Sequence, residues 1–566
     1  MAGEYSAPLS TTLSRTGHDT AEVENDELCW EARAQEAKDA NFAEHNMTVA
    51  EAMRSYPWAV VWSVTISMSI IMEGYGTSLI GSFYGYPAFR RQFGQSYPDH
   101  HDNQVPQAWQ SALGVGSSAG CIVGAFLNGY LIKPLGFKKV FMGALVSMCA
   151  FIFVSFFGRT LGAQVAGQVL CGIPWGIFAT IGPAYSSELV PLALRPYLTA
   201  YTNMCFAIGQ LISAGVLQSL IGRPGQWSYR IPLAVQWVWP LPLFCISFFM
   251  PESPWWQVRQ GKYDAAQETM QGLMSTKQHL VAQRAVAMMI HTDRIESELE
   301  TGTSYWDCFK GSNLRRTEIA CMSFAGQVLA GSQFAFSGTY FFEQAGMSPP
   351  NAYKLGLGGT GIALSGTILS WFLMSALGRR SVYLGGMALM ALYLLIIGLL
   401  TLGHSNRSVV WAQSGLCILW LLTFSLSVAP LGWTIPAEVS STRLRSKTIC
   451  LARNTYYIVV MVANTLEPYM MNPAAWNWKG NTGFFWFGSA LLTFIWGFFR
   501  LADTKGRTFD ELDMMFAAQV PTREFGSFLI GPSESLTTNN HASLSPTEIA
   551  PCRKDSSHSS CRVSAA

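Results

Sequence analysis

The sequence predicts an all-α membrane protein, with twelve transmembrane helices arranged as two six-helix bundles. Three observations carry that prediction. Charge is scarce, apolar windows long enough to cross a bilayer recur along the chain, and the charged motifs between them occur once in each half. Of the 566 residues, 50% are hydrophobic and only 13% are charged, against about 25% charged in an ordinary soluble protein. Mean hydropathy is +0.22. With 19 Trp and 34 Phe, the composition is also unlike a disordered chain, which needs high charge and few aromatics. The net charge of +2 lacks the strong basic excess of nucleic-acid binding, so no nucleic-acid partner is expected.

A hydrocarbon core of about 30 Å takes about 20 apolar residues per helix. Windows free of Asp, Glu, Lys and Arg run over 104–132, 140–158, 160–187, 196–222, 231–251, 319–342, 355–378, 381–406, 408–437 and 480–499. Two more are interrupted by charge: 55–89 by Glu73, and 448–478 by Arg453 and Glu467. Together they make twelve. Gly172, Pro174, Gly176, Pro430 and Gly432 lie inside these windows, as membrane helices tolerate and soluble ones resist.

The first fifty residues are polar and hold no apolar run of a cleavable leader, so the N-terminus is expected in the cytosol. An even number of spans then returns the C-terminus to the same side. Short inner loops would carry nine cations (Lys133, Lys138, Lys139, Arg195, Arg379, Arg380, Arg443, Arg445, Lys447). The outer loops would carry eight (Arg90, Arg91, Arg159, Arg223, Arg230, Lys354, Arg407, Lys479). That balance decides little, and the eight Lys and Arg of 252–318 tip it toward an inner placement of that loop. The expected organisation is a cytoplasmic tail over 1–54, a six-helix bundle over 55–251, a helical cytoplasmic linker over 252–318, a second bundle over 319–501 and a C-terminal tail over 502–566. Both tails are polar and are expected to be disordered. A sequon at Asn406-Arg407-Ser408 falls in a short outer loop.

Eight of the 12 cysteines lie in apolar stretches and no CxxC occurs, so they read as small hydrophobes rather than as a zinc, redox or disulfide set. The nine histidines are scattered. Neither a metal, a cofactor nor an enzyme active site is expected.

The halves echo each other on one face. SSELVPLALR places Glu188 seven residues before Arg195, and PAEVSSTRLR places Glu438 seven before Arg445, each pair 250 positions apart. LGFKKV (Gly136, Lys138, Lys139) recurs as LGRRSV (Gly378, Arg379, Arg380) at an offset of 242. Glu252 of PESPWW recurs as Asp503 of ADTKGR at 251. A duplication of this kind implies two bundles related by an axis along the membrane normal, with a site between them near mid-membrane. Each charge alone reads as a solvated loop residue. Repeated in both halves, the acids and bases form a candidate cytoplasmic gate: Glu188, Arg195, Glu252, Arg379, Arg380, Glu438, Arg445 and Asp503. Exposed ion pairs contribute little singly, so such a gate must act as a network.

Over about 57–515 the chain resembles the sugar porter family of the major facilitator superfamily, through LGRR (377–380), SSELVPLALR, PESPWW, PAEVSSTRLR and DTKGRTFDELD (503–513). More narrowly, EGYGTSLIGSFYGYPAF (73–89), LCGIPWG (170–176), YFFEQAG (340–346) and NPAAWNWKGNTGFFWFG (472–488) resemble the fungal α-glucoside (maltose-type) permeases. The resemblance implies a multi-pass plasma-membrane permease working by alternating access, often as a proton symporter, whose partners are a sugar, protons and the lipid bilayer. Carried over by position, the sugar-contacting residues fall on Gln210, Gln327, Gln333 and Trp433, with Thr77 and Tyr456 chosen from register alone. A glutamine amide both donates and accepts, as paired sugar hydroxyls require. An aromatic face suits the apolar side of a sugar ring. The bland alternatives are interhelical hydrogen bonding for the glutamines and packing for Trp433.

Glu73 lies near the centre of its span. A charge there costs roughly 2.5–3.5 kcal/mol on insertion scales and is a functional site by default, so Glu73 is the candidate proton carrier. The alternative is a static carboxylate paired with a neighbouring helix. Two departures bear on this. The GYD acid found in many proton-coupled members is replaced in Gly74-Tyr75-Gly76, and the Arg often found opposite it is Gln168. The inner acid of the second loop is missing as well, with Lys133 and Pro134 in its place. Other readings of the same fold are a transporter of another polyhydroxylated or secondary metabolite, and a sugar sensor that binds without transporting.

Overall fold

The computed structural model describes residues 36, 39–40, 42–44, 46–95, 105–220, 223, 225–275, 279–298, 304–336, 349–402, 407–471, 476 and 478–526. The first helix long enough to span, α1, runs Pro57–Phe83. The helical run Gln107–Phe157 turns at Gly136, where φ is +82°, and so forms α2 (107–135) and α3 (137–157). Leu161–Leu189 is α4 and Arg195–Leu220 is α5. The broken run α6 comprises Trp227–Val235, the 3-10 turn Gln236–Val238 and Pro240–Ser247. Gly311–Leu329 and Ser332–Phe336 make α7. Then follow α8 (Pro349–Ala376), α9 (Arg379–Leu402), α10 (Arg407–Leu426 and Val428–Val439), α11 (Arg445–Met471) and α12 (Thr482–Arg500).

Nine helices among the described residues are long and apolar enough to cross a membrane, and one of them is the joined α2–α3 run. The two spans outside that count have local causes. The 3-10 turn Gln236–Val238 just before Pro240 divides α6, since proline offers no N–H and clashes with the preceding turn. In α7 the helix starts earlier than the apolar window and opens on Arg315, Arg316 and Glu318. It breaks at Gly331, whose φ of +91° is a conformation open chiefly to glycine. A matching break interrupts α10 at Ser427 (φ −126°, ψ −84°), three residues before Pro430.

Each half has its own buried core, one drawn mainly from residues 52–289 and the other mainly from 319–525. Their outward faces carry exposed apolar side chains such as Val123, Leu127, Phe153, Leu392, Leu399, Leu492 and Phe499, as helices facing lipid should. Within the first half, α2 and α4 cross at backbone distance. A Cβ on Gly120 or Gly124 would strike the carbonyls of Val169 or Ile173, and one on Gly172 or Gly176 those of Ser117 or Cys121. Gly74 and Gly209 make the same close approach between α1 and α5. Small residues spaced in this way let membrane helices pack without a hydrophobic driving force.

The halves meet where α2 lies along α11 and α5 lies along α8. One face carries the linker helices Pro254–Arg259, Tyr263–Leu273 and His279–Glu298, the 3-10 turn Tyr305–Phe309, and the terminal helix Phe509–Ala517. Capping boxes start two helices inside the expected tails, at Thr48–Glu51 and Thr508–Glu511. Asn406 of the sequon lies outside the described residues.

Candidate functional site

Between the halves lies a cavity with about 540 Å³ of empty space, counting its open mouth. It is lined by Asn203, Phe206 and Gln210 of α5, Gln327 and Ser332 of α7, Thr367 of α8, Ser425, Ala429 and Trp433 of α10, and Arg453 and Tyr456 of α11. Both helix breaks open onto it, through Ser332 and Ala429. Irregular backbone in a membrane helix is tolerated where it borders such a cavity.

Four of the residues picked from the sequence converge here: Gln210, Gln327, Trp433 and Tyr456. The Gln327 amide nitrogen donates to Ala429 O at 2.7 Å, which is the helix–helix role, and its carbonyl oxygen remains available to a hydroxyl. Two other expected residues lie elsewhere. Thr77 is exposed and donates back to Glu73 O at 2.8 Å in its own helix. Gln333 follows Ser332 but does not line the cavity. Polar residues that the sequence did not single out complete the lining, and Asn203 Nδ2 reaches Thr367 Oγ1 at 3.4 Å from α5 to α8. Single Ser, Thr and Asn residues in apolar helices carry no signal that separates lining from helix packing.

The larger omission is the partner of Glu73. Arg453 Nη2 lies 2.6 Å from Glu73 Oε1, with the two side chains 1% and 2% exposed. Tyr457 OH donates to the same oxygen at 2.9 Å, and Arg453 Nη2 lies 2.8 Å from that hydroxyl. Glu73 Oε2 and Arg453 Nε are buried without a hydrogen-bond partner. The pair joins α1 of one half to α11 of the other, deep in the seam. Four aromatic rings surround the guanidinium: Trp433 at 4.4 Å, Tyr456 at 4.6 Å, Tyr457 at 4.7 Å and Phe324 at 5.1 Å. Cation–π attraction offsets part of the cost of burying that charge. Arg453 thus belongs to both the cavity wall and the ion pair. A signal for it existed in the sequence: it is a charge inside an apolar window, and Tyr457 stands four residues on, on the same helix face.

The departures near Glu73 have a packing counterpart. A Cβ at Gly76 would collide with the Trp175 indole, so no acid fits at that position. Gln168 is buried, its Oε1 without a partner. The other acid of the spans, Glu467, accepts from Trp486 Nε1 of α12 at 2.8 Å.

The eight residues expected to form a gate all lie toward the linker-bearing face, and their bonds follow the duplication. In the first half, Glu252 accepts from Phe137 N at 2.8 Å and Lys138 N at 3.3 Å, capping the start of α3. In the second, Asp503 accepts from Arg379 N at 3.1 Å, at the start of α9. Ser253 donates to Glu188 as Thr504 donates to Glu438. Arg379 pairs with Glu438 at 3.2 Å. The cation beside Glu188 is instead Arg259 of the linker, at 2.8 Å, because at the offset of 242 the position matching Arg379 holds Phe137, while Lys138, which matches Arg380, reaches Phe248 O. Arg259 also donates to Thr442 O of the other half at 2.8 Å, and Arg445 stands 3.9 Å from Glu188. Arg380 reaches Phe498 O at 2.6 Å rather than a carboxylate, and Arg195 stacks on Phe509.

Burial pushes the Glu252 carboxyl up from its ordinary value, while the backbone N–H groups of Phe137, Ser253 and Lys138 pull it down. Those donors are the orphan groups of a helix start. Glu252→Ala is therefore expected to lower stability by about 1–3 kcal/mol through unsatisfied donors, and Glu252→Gln, which keeps an acceptor, by clearly less. Thermal unfolding of the solubilised protein measures both, and equal losses would show that the capping bonds contribute nothing.

Similarity to known proteins agrees with this arrangement. The family described as Sugar (and other) transporter matches residues 62–516. The maltose permease MAL31 of Saccharomyces cerevisiae is 37% identical over 505 residues, covering 88% of this chain and 82% of that protein. The general alpha-glucoside permease of the same organism is 34% identical over 524 residues, covering 91% of this chain and 84% of its own. Among solved structures, the proton:xylose symporter XylE bound to 6-bromo-6-deoxy-D-glucose superposes with a TM-score of 0.71 at 19% identity, covering 81% of this chain and 99% of that one. The human organic anion transporter MFSD10 gives a TM-score of 0.52 at 15% identity, covering 79% and 99%. The last two likenesses speak to the fold alone.

Proposed function

The chain belongs to the sugar (and other) transporter family, and from that membership we propose that it moves an α-glucoside, maltose-like in size, across the plasma membrane by alternating access coupled to protons. As a member it is a multi-pass membrane transporter rather than an enzyme. The observation that carries the proposal is Arg453, shared between the cavity wall and the Glu73 ion pair. Gln210 and Gln327 offer amides to paired hydroxyls, and Trp433 and Tyr456 offer ring faces.

When the halves part on the cavity side, α1 and α11 separate and the Glu73–Arg453 pair opens. A carboxylate left without its cation in an apolar seam takes up a proton or draws in water. Re-forming the pair expels that proton, and the sugar, held by residues of both halves, moves in the same cycle. On this reading both termini and the linker face the cytosol, and the linker-side ion pairs close the inner gate.

Uptake of radiolabelled maltose into a transporter-null yeast, with and without a protonophore, tests the proposal. Accumulation that the protonophore collapses is expected. Absence of uptake with the protein at the surface would remove the α-glucoside assignment, and accumulation indifferent to the protonophore would remove the coupling. The filled space at Gly76 and the unpartnered Gln168 favour a second reading, transport of another polyhydroxylated compound without coupling. Protonophore-insensitive equilibration of a polyol, with no maltose uptake, would select it.

A further inference from the structure

We infer that Phe509 is a gating residue: its ring is clamped between the two duplicated arginines, one from each half, and holds the linker-side gate shut. The guanidinium carbon of Arg195 lies 3.7 Å from the ring centroid and that of Arg445 lies 3.8 Å from it. Two planar cations at that height cannot share one face without overlapping, so they occupy opposite faces. An aromatic ring is electron-rich on both faces, and it therefore attracts two cations that would otherwise repel each other across the seam. Arg195 is 5% and Arg445 0% exposed, where such attraction is stronger than in water.

The ring travels with the second half. Its helix is tied there by the Arg316–Asp513 pair, and the segment after it by Arg315, which reaches Val520 O at 2.8 Å and Thr522 Oγ1 at 2.7 Å. Arg445 starts α11 of the same half, whereas Arg195 starts α5 of the other. Opening the linker side thus breaks the Arg195 contact and leaves the rest in place. Trp255, at the start of the linker, meets the ring edge-on with centroids 6.1 Å apart. This inference rests on the two bundles rocking apart, as in the proposed cycle, but not on the identity of the sugar.

The test reads opening directly and needs no substrate. Cys450 is fully buried in α11 and faces Gly129 of α2 in the seam between halves. Its labelling by a maleimide, added to the solubilised full chain and followed by mass spectrometry of its peptide, reports opening. Phe509→Leu keeps an apolar side chain and removes the π faces, and labelling about tenfold faster than in the native chain is expected from losing the cation–π contacts. Phe509→Tyr keeps the faces, and the ring borders a linker-face cavity with about 530 Å³ of empty space that can take a hydroxyl. Its rate is expected to stay within about twofold of native. Arg195→Gln removes one cation and spares the ring, and an increase of roughly threefold is expected; it also serves if Phe509→Leu does not fold. A native rate in Phe509→Leu, or in Arg195→Gln, overturns the inference. So does Phe509→Tyr labelling as fast as Phe509→Leu, because packing alone would then explain the effect.

Discussion

Glu73→Gln is expected to abolish concentrative uptake and to leave exchange of sugar across the membrane largely intact. Glutamine can still accept one bond from Arg453 or Tyr457, so the seam keeps its shape. It cannot carry a proton, and the cycle then moves sugar only down its own gradient. At steady state the ratio of inside to outside sugar should fall to about one, the value for uncoupled equilibration. Counterflow of labelled against unlabelled sugar should persist. Unchanged accumulation in this variant would return Glu73 to a purely structural role. The ion pair supplies a second readout. Arg453→Ala leaves a buried carboxylate uncompensated, and breaking a buried pair from one side costs about 3–5 kcal/mol. The double variant Glu73→Gln, Arg453→Met removes both charges and should recover much of the folded protein, still without accumulation.

Gly124→Val is expected to eliminate folded transporter. The new Cβ would collide with the backbone carbonyl of Ile173, which cannot swing away as a side chain could. The helices α2 and α4 must then separate along a stripe in which Gly120, Gly172 and Gly176 are equally close to the opposing backbone. Overpacking a tight site costs about 1–3 kcal/mol or more, and here the loss spreads over the whole crossing. Gly143→Val on α3, where nothing lies within 4 Å of a new Cβ, is the matched control and should be tolerated. Size-exclusion profiles of the solubilised proteins, compared after heating, separate the two. A monodisperse Gly124→Val protein with native thermal stability would show that the close crossing is dispensable.

Much of this was legible in the sequence, and particular residues show why the rest was not. Glu188 and Glu438, or Glu252 and Asp503, could be matched across the chain because each motif is short and contiguous. Their roles as caps and pairs repeat in the structure for the same local reason. Arg259 could not be found that way: it belongs to no repeat, and it serves Glu188 where the position matching Arg379 holds the uncharged Phe137. Thr77 was placed in the site from register, yet register specifies a helix face without saying which neighbour covers it.

The sequence by itself determined the spans, the duplication and the scarcity of buried charge. Those follow from a local requirement, since in lipid each segment must satisfy its own backbone polar groups and present apolar side chains over about 20 residues. Only the tertiary structure decided how the few buried charges are compensated. Glu73 and Arg453 are separated by 380 positions, and Phe509 lies far along the chain from Arg195. Coulomb and cation–π attraction depend on distance in space, which is set by how the two bundles meet.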